Sequence, residues 1–340
     1  MTEKATMRNL FEIYCDSQQF RMRTVSRLKK ASNDGSFQGV GEEVIEGYLA
    51  LEHVIAKRLK SQMKGHPMSQ WLYANYGIGP ILAAGLIAYI DDIERFGTVS
   101  KLWKYSGMGT TQICEDCKKR IIEDGARGAW IMHTADRLEE QNSKKKDQKK
   151  KVKREELIIR ATDMVCLCPH PHGKTIAQRK ITGQMLDYNP KFKNLCYLIG
   201  DQFIKQLKSP YRKLYDEYKL DYSTRPDLMA EIEERKRAPK NEDDKHIVKG
   251  TAHVNAMARR KATKLFLSHL WETWRTLEGL PTPEPYAIGI LGHVDKIAPF
   301  VTLEQAGYEK LENGKYMHKK VHNTVPDDMV DEDFTSSLSS

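Results

Sequence analysis

Two closely spaced pairs of cysteines constrain the fold of this chain more than any other sequence feature. The first pair has the spacing Cys114-x-x-Cys117, and the second pair is Cys166 and Cys168. A two-residue spacing presents two thiolates from a single turn of chain, which suits tetrahedral zinc. Thiolates also select zinc over calcium or magnesium. We therefore expect one zinc ion to be held by all four cysteines.

The residues after the second pair leave part of this ligand set open. Cys168 with His170 or His172 is the alternative to Cys166 with Cys168, and four free cysteines are the competing interpretation. Four protein ligands would make a closed structural site rather than a hydrolytic one. The site would then pin together the ends of an insertion over 118–165. The two remaining cysteines are expected to be buried residues of helices: Cys15 and Cys196.

A second feature is the segment 70–84, in which glycine and proline follow the pattern of a helix-hairpin-helix. A first helix is expected to end at Tyr76, after which Gly77 and Gly79 permit positive φ in the turn. Ile78 can fill the core between two helices, and Pro80 suits the first turn of the next helix. Free N–H groups there would bind a phosphate oxygen without reading base identity. An ordinary tight turn is the competing interpretation.

The fold class follows from helical periodicity and from a scarcity of strand-like alternation, of which 288–294 is the best example. We expect a mainly α, multi-helix protein with a helix-hairpin-helix module and a zinc-bearing insertion. Helices are predicted over 5–31, 36–63, 190–208, 209–219, 226–237 and 252–277. The expected regions are N-terminal helices (1–67), the hairpin module (68–110), the zinc-binding insertion with a basic loop (111–172), a C-terminal helical domain (173–277), and an irregular extension with a disordered tail (278–340).

Basic residues supply the other expected contacts. Fifty-five Lys and Arg stand against 46 Asp and Glu, a net charge of +9, which favours polyanionic partners, although a solvated basic surface would have the same composition. The densest run, 144–154, is interpreted as the tip of the insertion. Besides the three hairpin residues Gly77, Ile78 and Gly79, the candidate nucleic-acid contacts are Lys144, Lys145, Lys146, Lys149, Lys150, Lys151, Lys174, Arg259, Arg260 and Lys264.

The order of motifs after the hairpin matches a known pattern. Gly77-Ile-Gly-Pro80 is followed by an Ala/Leu-rich stretch, Asp91-Asp-Ile93, Arg95-Phe96 and then Tyr105-Ser-Gly107. This block resembles the C-terminal domain of the bridge-RNA-guided insertion-sequence transposases, which share the architecture of the Piv-type DNA invertases. A looser similarity covers 173–277, where Gly173-Lys174 looks like a segment that precedes DNA-facing helices in that family. The resemblance implies DNA as the partner, with RNA as an alternative.

Both catalytic parts of that family differ here. The family places a RuvC-like carboxylate domain before this module, whereas residues 1–67 are short and read as helices. Pro171-His172 stands where the family carries a nucleophilic serine. We therefore expect a transposase-derived, non-catalytic DNA-binding protein. The alternatives are an active recombinase that uses a carboxylate domain from another chain, and an RNA-binding subunit of a ribonucleoprotein.

No apolar run approaches the roughly 20 residues that a membrane-spanning helix needs. The amino terminus lacks the apolar core of a signal peptide, and six cysteines in 340 residues are too few for a disulfide scaffold. We expect a cytoplasmic protein with reduced thiols, associated with the nucleoid if it is bacterial. Membership of a larger protein or nucleoprotein assembly, and oligomerisation, are left open.

Overall fold

The protein is mainly helical, as its sequence predicts. The computed structural model describes residues 3–31, 38–143, 152–169, 173–180, 186–237, 251–283, 297–312 and 315–318. In these residues the helices are α1 (Glu3–Ala31), α2 (Gln38–Met63), α3 (Ser69–Tyr73), α4 (Pro80–Ile90), α5 (Val99–Tyr105), α6 (Asp124–Ser143), α7 (Arg154–Thr162), α8 (Pro190–Lys205), α9 (Pro210–Thr224), α10 (Pro226–Arg237) and α11 (Thr251–Leu277). The strands are β1 (Thr110–Cys114), β2 (Gly173–Ala177), β3 (Tyr308–Lys310) and β4 (Tyr316–His318).

The chain divides into two compact units, each built from separate stretches of sequence. The first unit comprises 1–84, 272–281 and 297–340, and the second comprises 85–271 and 282–296. Helices α4 and α11 contribute residues to both units. No described helix combines the length and the low polarity that a passage through a membrane requires.

In the first unit, α1 and α2 pack against each other through one ion pair and an apolar seam. Arg21 donates two hydrogen bonds to the buried Glu52 carboxylate, at 2.8 and 3.1 Å. Phe11 and Leu59 lie in the core of this unit. The Trp71 indole N–H donates to the carbonyl of Val301 at 2.8 Å, which ties the start of the hairpin segment to the residues before β3. Strands β3 and β4 form a two-stranded antiparallel sheet.

In the second unit, α8, α9 and α11 surround an aromatic core. Phe203 packs against Tyr211 and Phe266, with ring centroids 4.6 and 5.0 Å away. The Tyr211 hydroxyl is hydrogen-bonded to His269 Nδ1 at 2.8 Å, so both buried polar groups have a partner. A Cβ atom at Gly200 would lie 2.5 Å from Thr263 Oγ1, and glycine at this position therefore permits close approach of α8 and α11.

Helix starts in this unit follow local sequence rules. The Asn189 side chain accepts a hydrogen bond from the Phe192 amide at 3.1 Å, and Pro190 occupies the first turn of α8. Proline also begins α9 and α10, at Pro210 and Pro226, as the sequence predicts.

The structure departs from the sequence-based prediction mainly between 110 and 177. Two strands lie there, because β1 pairs antiparallel with β2 and places Cys114 opposite Gly173. Gly173-Lys174 therefore belongs to a sheet. Two further helices, α6 and α7, pack together between the cysteine pairs, where only a polar insertion was expected. The best strand candidate from the sequence, 288–294, and the tail from 326 lie outside the described residues.

Candidate metal centre and nucleic-acid contacts

The first cysteine pair lies on a tight turn at the end of β1. Lys118 has a positive φ of 59° and donates its backbone N–H to the carbonyl of Cys114 at 3.0 Å. The Cys114 N–H donates in turn to the carbonyl of Lys119 at 2.8 Å. These two bonds fold the chain back on itself, so that Cys114 and Cys117 come from one turn, as their spacing predicts.

The second pair joins this turn through backbone hydrogen bonds. The Cys166 N–H donates to the carbonyl of Arg120 at 2.7 Å, and Val165 forms a parallel bridge with Arg120. The Cys168 N–H points at the sulfur of Cys166, 3.4 Å away. Backbone contacts of Arg120, which lies directly after the first turn, therefore bring together two cysteine pairs that are far apart in sequence.

The four cysteines form one cluster that could bind a metal ion. Their sulfur atoms all lie within 4.8 Å of one another, and the sulfurs of Cys114 and Cys168 are 4.0 Å apart. Tetrahedral coordination at about 2.3 Å from a metal requires sulfurs about 3.8 Å apart, whereas a disulfide requires about 2.05 Å. The expectation that Cys114, Cys117, Cys166 and Cys168 share one point is confirmed. His170 and His172 lie outside the described residues.

Three of the four thiols have a shifted pKa. Burial opposes ionisation of Cys117, but hydrogen bonds from the Lys119 amide and the neighbouring thiols outweigh it and lower its pKa. Burial raises the pKa of Cys166, and hydrogen bonds with Cys166 and Cys117 raise the pKa of Cys168 to about 12. Cys117 thus contributes to the raised pKa of Cys166 and Cys168, and a bound dication is the charge that would stabilise several thiolates together.

The other two cysteines are not members of the cluster. Cys196 is fully buried in α8, where desolvation raises the pKa of its thiol, and Cys15 is half-buried in α1. Their helical positions agree with the sequence-based expectation. They therefore offer comparison positions for substitutions within the cluster.

The hairpin segment has part of the predicted geometry. Gly77 has a positive φ of 90°, Ile78 is 4% exposed, and Pro80 begins α4. Two details differ. The first helix, α3, ends at Tyr73 rather than Tyr76, and Gly79 has no positive φ. A Cβ atom at Gly79 would meet nothing within 4 Å, so this position faces open space.

The expected cations occupy different environments. Lys174 is exposed on β2. Arg259 forms an ion pair with Asp201, Arg260 donates hydrogen bonds to the carbonyls of Met108 and Gly109, and Lys264 lies over the ring of Trp103. The α11 cations Arg259, Arg260 and Lys264 are all half-buried.

Within the run 144–154, residues 144–151 lie outside the described residues, and these include all six candidate lysines: Lys144, Lys145, Lys146, Lys149, Lys150 and Lys151. The residues that flank 144–151 are joined. The Asn142 side-chain amide donates to the carbonyl of Val152 at 2.8 Å and accepts from its N–H at 3.1 Å. Arg154 forms ion pairs with Asp136 and Glu139 on α6. The residues that flank 144–151 therefore lie side by side.

One polar pair near the metal centre was not found by sequence reasoning. Arg120 is 4% exposed and forms an ion pair with Asp187, whose pKa the arginine lowers against the opposing effect of burial. The only sequence signal was an arginine close after a cysteine turn, and nothing local indicated its distant partner. No protein-family model, no curated protein and no solved structure matches this chain.

Proposed function

We propose that this protein is a zinc-stabilised, non-catalytic nucleic-acid-binding protein, derived from the transposase family that its hairpin block resembles. Zinc is the metal that four thiolates favour, and four protein ligands leave no open position for a reacting water. The ion would join the turn at Cys114 to the strand-like segment at Cys166. Its role would be to hold the base of the α6–α7 helical hairpin.

The half-exposed turn at 77–81 carries the nucleic-acid part of the proposal. Gly77, Gly79, Pro80 and Ile81 are all partly open to solvent, while Ile78 is buried beneath them. The first amides of α4 have no intrahelical carbonyl to bind, and the helix dipole favours an anion beside them. Phosphate is the anion that a chain of net charge +9 would meet on DNA.

The surroundings of Ser106, a serine of the block that resembles the transposases, support the proposal that the protein is not catalytic. Ser106 is fully buried at the end of α5, and its hydroxyl donates to the carbonyl of Trp103 at 3.0 Å. Among the residues that the structure describes, the four cysteines are the only group of three or more clustered potential metal ligands.

Purification of the full chain at low salt tests the proposal directly. We expect one zinc per chain by elemental analysis and co-purified DNA that deoxyribonuclease removes. Incubation with supercoiled, linear and branched DNA in magnesium or manganese should give neither nicks nor covalent adducts.

Three results would contradict parts of this proposal. A folded protein without bound metal would contradict the role of zinc. Bound material that only ribonuclease digests would assign the protein to RNA. An adduct that disappears in a serine variant would identify an active recombinase.

A further inference from the structure

The second unit contains a cleft that the proposed hairpin contact does not use. Its volume is about 500 Å³, within the range of roughly 300 to 1,000 Å³ that is typical of small-molecule sites. It is lined by residues of α5, β1, the segment 120–123, α6 and α11. Because β1 and 120–123 also carry the first cysteine turn, one wall of the cleft is built on the metal centre.

A lysine with no carboxylate partner among the described residues lies in this cleft. Lys264 Nζ is 3.9 Å from the centroid of the Trp103 ring, and the Trp103 indole N–H donates to the Lys264 carbonyl at 3.1 Å. No ion pair to Lys264 occurs in the described ranges. Burial, together with Arg260 and Lys261, lowers the pKa of its ammonium to about 8. A half-buried cation repelled by other cations favours an anionic ligand.

The remaining charges of the cleft do not neutralise this lysine. Arg120 and Asp187 also line it, but they are paired with each other. That leaves Lys104 and Lys264 against the exposed carboxylate of Glu123, an excess of one positive charge. A monoanionic or dianionic group, such as a phosphate, therefore fits the electrostatics better than a cation or a neutral molecule.

Aromatic and polar side chains define the rest of the ligand. Trp130 of α6 is half-buried in the wall and offers an indole face on which a planar ring can stack. Thr110, Thr111 and Gln112 supply hydrogen-bonding groups along β1. A molecule that combines an anion, a planar ring and several polar edges is a nucleotide.

We propose that this cleft binds one unpaired nucleotide, with its phosphate against Lys264 and Lys104 and its base against Trp130. This deepens the proposed nucleic-acid function and rests on it. The nucleotide can come from free solution or from a single strand, because a base inside a duplex is stacked and must first be extruded. The cleft would thus recognise unpaired residues, while the hairpin contacts backbone of any sequence.

Calorimetric titration of the zinc-loaded full chain tests this with three probes: adenosine monophosphate, a single-stranded oligonucleotide, and the duplex of the same sequence. Lys264→Met and Trp130→Leu are the test variants, and Lys101→Met, which changes an exposed lysine of α5 outside the cleft, is the matched control. Loss of one charge-assisted contact should weaken binding of the nucleotide or the single strand about 10- to 100-fold in Lys264→Met. Duplex affinity and the control should be unchanged.

The three probes distinguish a free nucleotide from a residue of a nucleic acid as the ligand. They also distinguish failure of the cleft proposal from failure of the proposed function. Lys264-dependent binding of adenosine monophosphate supports a free nucleotide, and the same dependence for the single strand alone supports a residue of a nucleic acid. If both variants keep their zinc and circular dichroism spectrum and bind every probe as the wild type does, the cleft proposal is overturned while hairpin binding stands. If the wild type binds neither strand form, the proposed function fails first.

Discussion

The cysteine cluster and the hairpin turn were both predicted from short motifs, yet the structure bears on them very differently. The cysteines come from two distant segments, and their four sulfurs converge within 4.8 Å. The hairpin residues are neighbours in sequence, and only Gly77 has the unusual backbone conformation expected of both glycines. A motif that needs several distant side chains at one point is strictly tested by a structure, because those side chains could lie apart. A turn motif is tested less strictly, because many ordinary helix connections satisfy it.

The largest effect is expected from breaking the cluster. Cys114→Ser removes a buried thiolate from a site whose zinc would contribute on the order of 10 kcal/mol to folding. We expect loss of stoichiometric metal and a fall in Tm of more than about 10 °C, measured by elemental analysis and calorimetry. Cys15→Ala, at a half-buried cysteine outside the cluster, is the control and should keep its metal. Equal Tm values for the two variants would show that the metal does not contribute to stability.

The hairpin comparison can be sharpened with two substitutions two residues apart. Gly77→Val forces a β-branched residue to a φ of 90°, which should lower the free energy of unfolding by about 2 kcal/mol or more. Gly79→Val meets open space and should cost about 1 kcal/mol or less, mainly through a poorer helix cap. Chemical denaturation measures both.

Gly79→Val also tests phosphate contact, because it folds while its side chain obstructs the amides of the turn. Duplex affinity should fall about tenfold, by a similar factor for unrelated sequences and most clearly at low salt. Unchanged affinity in a folded Gly79→Val protein would reduce the segment to a tight turn.

The smallest effect is expected from the lysine run. Changing Lys144, Lys145, Lys146, Lys149, Lys150 and Lys151 to Gln leaves the Asn142–Val152 contact and the Arg154 ion pairs in place. Folding should be unaffected. The slope of log affinity against log salt should become shallower by about 0.9 for each phosphate that the run no longer neutralises. An unchanged slope would show that the run makes no phosphate contacts.

Long amphipathic helices and ligand spacing were the parts of this fold that sequence could predict. Helices α8 to α11 follow their apolar periodicity and their prolines, and the four cysteines converge as their spacing predicts. Helix α6 escaped notice because it carries two glycines, Gly125 and Gly128, and buries only Thr134, Ala135 and Asn142. Strand β2 is exposed along nearly its whole length, so it shows no alternation, and its pairing with β1 is set by tertiary contacts.

A pattern can also be present without being used in the way it suggests. In α2, the sequence predicts one apolar face formed by Val44, Tyr48, Leu51, Val54, Ile55 and Leu59, of which Ile55 and Leu59 are buried. Val54 is 65% exposed, whereas the buried Glu52 pairs with Arg21 of α1. Hydrophobicity indicated the helix correctly, but only part of its apolar face is buried, since the partner surface determines how much of that face is covered.

The contact between Asn142 and Val152 has a practical consequence for engineering. One side-chain amide fixes the two points where the segment between them leaves and re-enters the helical hairpin. The length of that segment is therefore decoupled from the packing of α6 on α7, and each doubling of it costs only about 0.6 kcal/mol in closure entropy. A fluorescent domain or an affinity tag inserted there should report on nucleic-acid binding from inside the chain, with both termini left as they are.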